Sequence, residues 1–211
     1  MTTYLYSKDI AAWERAQGEI NSEHVNFVGP TRDTPTESLH YTCGLFNKIK
    51  GNVIVECGSG LHGEQSGNSM LHWFHDTGAT KIHCIEIDPH CINTVKNTLG
   101  EDPRIIYHPT DCFKTIPTIP SIDLLYMDFL VNGGANRAEA YLKLYLLCKK
   151  GFFKKTGPKL ILIDDTDHVD PWKQTLVVPQ ALKDGYMIVC MGRQTLLARD
   201  DIAQEVLSLK E

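Results

Sequence analysis

The sequence has no apolar run approaching the roughly 18 residues that a membrane-spanning helix needs. Nor does Met1 to Glu14 hold a cationic stretch leading into an apolar one, so a secretory leader is not expected. Positive charge is also short: 21 Lys+Arg stand against 26 Asp+Glu, a formal net charge of -5. That balance lacks the broad basic footprint of a phosphate-backbone binder and argues against a nucleic-acid target. No Cys-x-x-Cys pair occurs. The seven cysteines (Cys43, Cys57, Cys84, Cys91, Cys112, Cys148, Cys190) are odd in number and irregular in spacing, so neither a zinc knuckle nor a disulfide framework is indicated. Several lie in apolar runs, where a free thiol packs as a small hydrophobe, and a reduced, cytoplasmic setting is expected. Repeats, low-complexity tracts and long charge blocks are absent as well.

What remains is an ordinary globular balance, 42% hydrophobic and 22% charged over 211 residues, enough for one domain with a sizeable core. Short apolar runs alternate with helix-length segments. Strands are expected at 53–56, 81–87, 104–108, 122–128, 159–164, 186–191 and 194–199, most of them continuously apolar, as strands buried on both faces are. Helices are expected at about 67–77, 89–99, 135–150 and 171–183. Pro89 suits a first helical turn, and Gly151 after Lys149 and Lys150 suits a helix end. This alternation predicts an α/β, Rossmann-like doubly wound sheet of seven mostly parallel strands. Only Gly192 and Arg193 separate the last two runs, so they should form a C-terminal antiparallel hairpin. Residues 1–50 read as a helical extension or cap, with helices at 8–17 and about 37–50, and residues 51–211 as the ligand-binding domain.

The most informative stretch is Val53-Ile54-Val55-Glu56-Cys57-Gly58-Ser59-Gly60-Leu61-His62-Gly63, an apolar strand ending in an acid and entering a G-x-G-x-x-G loop. Such glycines let backbone approach a ligand at a helix N-terminus. The next strand ends in Glu86, whose carboxylate can accept from both hydroxyls of a ribose in the crevice outside the strand ends. A nucleoside-containing ligand is expected, the alternative being a glycine turn with a purely structural role. Glu56 would repel a pyrophosphate and suits an ammonium-bearing ligand. Together with the long polar loop through Ser69, it favours S-adenosylmethionine over a dinucleotide.

With these residues the chain resembles the class I S-adenosylmethionine-dependent methyltransferases, in particular those acting on oxygen of small molecules. The resemblance covers about residues 50–200 and rests on Glu56-x-Gly58-x-Gly60-x-x-Gly63, on Glu86, on Asp111-Cys112 after strand three and on Ile122 to Asp128. It rests also on Leu160 to His168 and on the terminal hairpin. It implies that Gly58 and Gly60 contact the methionine end, Glu86 the ribose and Asp111 the adenine amine. Gly63, Ser69, Cys112 and Asp128 complete the cofactor set.

Asp128 ends strand four, Asp164 and Asp165 end strand five, and His168 follows. In a parallel sheet these carboxylates share an edge and repel unless a cation or proton intervenes. One resolution is Mg²⁺ held by Asp128, Asp164 and Asp165, activating an acceptor hydroxyl. Another is that the acids cap neighbouring helices. Without a metal, His168 or Asp128 is the general base. His72 and His75 make two ligands without a third, so packing or surface roles are expected for them. Arg137 reads as an anion-holding or solvent-exposed residue, and Trp172 as a pocket or helix-start residue. No Asn/Asp-Pro-Pro-aromatic motif follows strand four, which again disfavours a nucleic-acid substrate. The expected partner is a small-molecule acceptor, with neither nucleic acid nor membrane. The rival readings are an aminopropyl transferase of the spermidine-synthase kind, an NAD-dependent oxidoreductase, and a non-catalytic ligand-binding protein on the same fold.

Overall fold

The computed structural model describes residues 35–59, 69–131, 134–150, 157–167 and 172–202. The expected helix at 8–17, together with Gly60, Gly63 and His168, lies outside them. In chain order the elements are α1 (Pro35–Lys48), β1 (Val53–Cys57), α2 (Ser69–Asp76), β2 (Lys81–Glu86), α3 (Pro89–Leu99) and β3 (Ile105–Pro109). A short helix α4 (Cys112–Thr115) runs into a 3₁₀ turn and is followed by β4 (Leu124–Met127), α5 (Gly134–Lys150) and β5 (Leu160–Ile163). Then come α6 (Gln174–Lys183), β6 (Tyr186–Cys190) and β7 (Thr195–Arg199).

The seven strands form one sheet in the order β3-β2-β1-β4-β5-β7-β6. β1 to β5 pair in parallel; β7 is antiparallel to both β5 and β6, so β6 again points the same way as the first five. The hairpin expected at the end is present, inserted so that its second strand contacts β5. Its connection spans Met191 to Gln194 rather than two residues, and a register shift between Ile188 and Cys190 bends β6.

Alternate residues of each strand serve opposite faces, as the two-residue period dictates. Val55, Leu125 and Ile161 pack against Tyr141, Leu144 and Val178 of α5 and α6. Ile54, Leu124 and Leu160 share the opposite core with Phe46, Trp73 and Val95 from α1, α2 and α3. Leu39, Leu45 and Phe46 are fully buried, so α1 belongs to the core of the sheet. Local chemistry sets the helix starts. The Asp88 side chain accepts from the His90 amide at 2.8 Å with Pro89 in the first turn of α3, and Asp111 caps α4 through the Phe113 amide at 2.9 Å.

The strand order reverses between β1 and β4, where an open parallel sheet leaves a crevice outside its carboxyl ends. Backbone bonds run past the ends of the ladders there. The Asp128 amide donates to Cys57 O at 2.9 Å and the Asp164 amide to Met127 O at 3.2 Å. Gly58, Asp128 and Asp164 are therefore fixed along one edge. No helix among the described residues is long and apolar enough to cross a membrane.

Candidate active site

A cleft of about 660 Å³ opens at that edge, within the ~300–1,000 Å³ usual for small-molecule sites. Gly58 forms its floor with φ +88°. A Cβ at this position would lie 2.5 Å from both Asp128 O and Phe129 N, so the tight turn under the cleft admits only glycine. With Gly58, the residues Glu86, Asp111, Cys112, Asp128, Asp164 and Asp165 line the same cleft, so sequence candidates from five separate segments meet there. Glu86 is oriented by the Asp88 amide, which donates to its Oε1 at 2.8 Å. Asp111 keeps Oδ1 on its helix cap. Two side chains that the sequence reading passed over add an apolar element. Ile87 is 70% exposed and Leu130 74%, and both line this cleft. Large apolar side chains left open beside a polar cleft suit the faces of a planar base.

Glu56 lies one layer beneath, 1% exposed, with the Trp73 indole N–H donating to its Oε2 at 2.5 Å. Burial, above all, pushes its carboxyl up to about 8, with the Ser69 and Trp73 hydrogen bonds pulling the other way and the Asp128 charge adding to the rise. Ser69, the first residue of α2, is thus placed at Glu56.

Asp128, Asp164 and Asp165 come together as expected, with one carboxylate oxygen of each lying within 4.8 Å of the others. The cation that relieves their repulsion is Lys173. This residue is fully buried, and its ammonium donates to Asp128 Oδ1 at 2.6 Å and to Asp165 Oδ2 at 3.0 Å. Arg193 donates to Asp165 Oδ1 at 3.1 Å, and the Gln194 amide to Asp164 Oδ1 at 2.6 Å. Four of the six carboxylate oxygens thus carry a side-chain donor. Burial opposes the charge on Lys173, but the surrounding Asp128, Asp165 and Asp164 outweigh it and raise its pKa. Asp164 is pushed up to about 7, first by burial and then by the Asp128 and Asp165 charges. Asp128 is raised by burial against the pull of Lys173.

The frame holding this cluster is local. Asp165 has φ 52°, a left-handed conformation that aspartate tolerates better than most residues. Next to it, the Thr166 amide donates to Arg193 O at 2.7 Å and its hydroxyl to Gly192 O at 2.8 Å. The end of β5 is thereby stitched to the β6–β7 connection, which delivers Arg193 and Gln194 to the acids. Lys173 is held at the start of α6, where the preceding amide of Trp172 donates to Thr175 Oγ1 at 2.7 Å. The Arg137 guanidinium lies 3.9 Å from the Trp172 ring, so Arg137 is engaged on an aromatic face beside the site.

The residues around the cleft suit S-adenosylmethionine: a glycine-only floor, a strand-end carboxylate, two open apolar side chains and a buried acid. They suit Mg²⁺ poorly, because a fully buried lysine ammonium already bridges two of the three acids. Lys173, Arg193, Gln194 and Thr166 were not singled out from sequence. The one available signal for Lys173 was charge balance, since three converging acids demand a cation and Lys173 is the first one after Asp165.

No family model matches the chain, and no curated protein matches it. Similarity emerges in three dimensions. The S-adenosylhomocysteine-bound methyltransferase PaMTH1 of Podospora anserina aligns over 94% of this chain and 90% of its own, with TM-score 0.55 and 17% identity. A provisionally assigned O-methyltransferase from Klebsiella pneumoniae aligns over 92% and 89%, with TM-score 0.53 and 14% identity. A provisionally assigned caffeoyl-CoA O-methyltransferase from Staphylococcus aureus aligns over 81% and 85%, with TM-score 0.54 and 12% identity. The chain therefore has the class I S-adenosylmethionine-dependent methyltransferase fold, including the mixed seven-stranded sheet.

Proposed function

We propose that the protein is an S-adenosylmethionine-dependent methyltransferase acting on a hydroxyl of a small molecule, with Lys173 in place of a divalent metal. The observation that carries this reading is the meeting, in one cleft, of the glycine floor at Gly58, the Glu86 carboxylate and the acid cluster of β4 and β5. The solved methyltransferases of the same fold, one of them holding S-adenosylhomocysteine, support the cofactor.

S-adenosylmethionine bound in the cleft would supply a sulfonium methyl for in-line attack by the acceptor oxygen, the carbon–sulfur bonding pair leaving with sulfur. Glu86 would accept from its ribose hydroxyls, Ile87 and Leu130 would flank its base, and Asp111 and Cys112 would border that base. Gly58 would let the backbone approach its methionine end, above Glu56 and Ser69. Alignment of two reactants is the larger part of such catalysis, and removal of the hydroxyl proton is the smaller. The proton passes to the acid cluster. Asp164 is the better acceptor, because its Oδ1 is held by the neutral Gln194, whereas Asp128 is paired with Lys173. Lys173 pairs with Asp128 and Asp165 and fixes them, the electrostatic task that a divalent ion would otherwise perform.

The test is calorimetry with S-adenosylhomocysteine and, separately, with NAD, followed by an acceptor screen for turnover with and without EDTA. Micromolar binding of the adenosyl compound, none of NAD, and EDTA-insensitive turnover are the expected results. NAD binding would move the protein to the oxidoreductases. Turnover abolished by EDTA and restored by Mg²⁺ would return the acid cluster to the metal-assisted reading.

A further inference from the structure

A second group of ligating side chains lies away from the cleft, on the outer side of α1 and α2. We propose that His40, His72 and Asp76 form a binding site for a zinc-like divalent transition metal that clasps α1 to α2. Asp76 Oδ2 lies 2.7 Å from His72 Nδ1 and 3.5 Å from His40 Nε2, and the three ligand atoms fall within 4.8 Å of one another. The two imidazoles meet edge to face, with ring centroids 4.6 Å apart and planes at 88°. Two imidazole nitrogens and one carboxylate oxygen are borderline donors suited to Zn²⁺ and its neighbours in the first transition row, and they leave a fourth, tetrahedral position to water.

The scaffold around them is built. His72 and Asp76 stand four residues apart on one face of α2. His40, Cys43 and Asn47 follow the three-to-four spacing of one face of α1, and that face meets α2 throughout. Asn47 grips the end of α2 twice: its amide donates to Asp76 O at 2.8 Å, and its Oδ1 accepts from the Gly78 amide at 2.8 Å. The Cys43 thiol packs against His72 O at 3.7 Å. The backbone beneath the ligands is therefore fixed from both helices. Metal–nitrogen distances of about 2.0–2.1 Å place tetrahedral donors roughly 3.3 Å apart. The His40–Asp76 pair, at 3.5 Å, is near that spacing, and the His72–Asp76 pair, hydrogen-bonded at 2.7 Å, opens by roughly 0.6 Å to admit the ion. His40, with a 59% exposed side chain, is the ligand free to swing in. His72 precedes Trp73, whose indole holds Glu56, so an occupied clasp stiffens the helix on which that buried acid rests. The inference does not depend on methyl transfer.

The test uses the full chain, stripped of metal with a chelator and titrated with Zn²⁺ by calorimetry at pH 7.5, together with thermal unfolding. One equivalent should bind with micromolar affinity, and Tm should rise by roughly 5–10 °C at a hundredfold excess over Kd. His40→Ala, at an exposed position where folding is not at stake, and Asp76→Asn should each weaken binding at least tenfold. Asp164→Asn should bind as the wild type does, which separates this site from the acid cluster. Co²⁺ should give a d–d spectrum without a thiolate charge-transfer band. Unchanged affinity in His40→Ala, a thiolate band, or no binding would overturn the proposal and leave only an imidazole–carboxylate ion pair.

Discussion

Replacing Lys173 by methionine removes the ammonium from between Asp128 and Asp165 while keeping a long side chain in its place. Removing one partner of a buried ion pair costs about 3–5 kcal/mol, because the other charge is left uncompensated. Here the lysine is fully buried, while the Asp128 and Asp165 side chains are 32% and 28% exposed. Water reaches the carboxylates in part, so the lower end, about 3 kcal/mol, is expected. For a chain of this size that corresponds to a Tm lowered by roughly 6–12 °C. The Lys173 pKa is raised on folding, so the contribution of its charge is full below ordinary lysine values and is lost only as pH climbs past them. In Lys173→Met the acids hold protons more tightly folded than unfolded, so the variant should gain stability as pH falls from 8 to 5. The assay is urea unfolding followed by circular dichroism at several pH values. The Lys173→Met, Asp128→Asn double variant should recover at least 1 kcal/mol relative to additivity. Added Mg²⁺ should stabilise the single variant and leave the wild type unchanged. A single variant within about 0.5 kcal/mol of wild type, or strictly additive losses, would refute the argument that Lys173 is the cation this cluster requires.

Other consequences concern the cofactor cleft and the sheet edge. Glu56, with its carboxyl pushed up to about 8, is protonated at pH 7, and an incoming ammonium should displace that proton. Calorimetry in buffers of different ionisation enthalpy should therefore detect release of close to one proton per S-adenosylhomocysteine bound at pH 7, lost in Glu56→Gln. Gly58→Ala forces a Cβ against the Asp128 and Phe129 backbone at φ +88°, with strain of roughly 1–3 kcal/mol; homocysteine-product binding should weaken at least tenfold. His83 stacks on His108 with ring centroids 5.2 Å apart and is driven down to about 4 by burial and then by the His108 charge. Its contribution is full above the ordinary histidine range and is lost as pH falls towards 4, so His83→Gln should flatten the acid limb of the stability profile between pH 6.5 and 4.

Much of the fold was legible because its signals are local. Continuous apolar runs, Pro89 opening α3 and the tight connection before β7 each follow from a few adjacent residues. The position of β7 between β5 and β6 was not, since strand order within a sheet depends on packing across the whole core. The meeting of Gly58, Glu86 and Asp111 in one cleft was likewise legible, because each lies at a strand end whose place in a parallel sheet is known in advance. Ile87, inside the expected strand 81–87, and Leu130 were not singled out, since no sequence pattern distinguishes an apolar residue left open at a cleft from one that is covered.

The acid cluster shows where such reading stops and why. Asp128, Asp164 and Asp165 were placed together correctly, and their mutual repulsion was evident from the topology alone. That repulsion required a cation but did not specify its source. A divalent ion was one solution; Lys173, eight residues beyond Asp165 at the mouth of α6, is the one the chain itself provides. Its position depends on how the loop after β5 folds back, and that in turn on Thr166 binding the β6–β7 connection, a contact between residues 26 or more apart in sequence. The same connection brings Arg193 and Gln194, so the donors that neutralise the acids arrive from the antiparallel end of the sheet. The terminal hairpin is therefore more than a sheet extension: it supplies two of the three side chains that donate to the acid cluster.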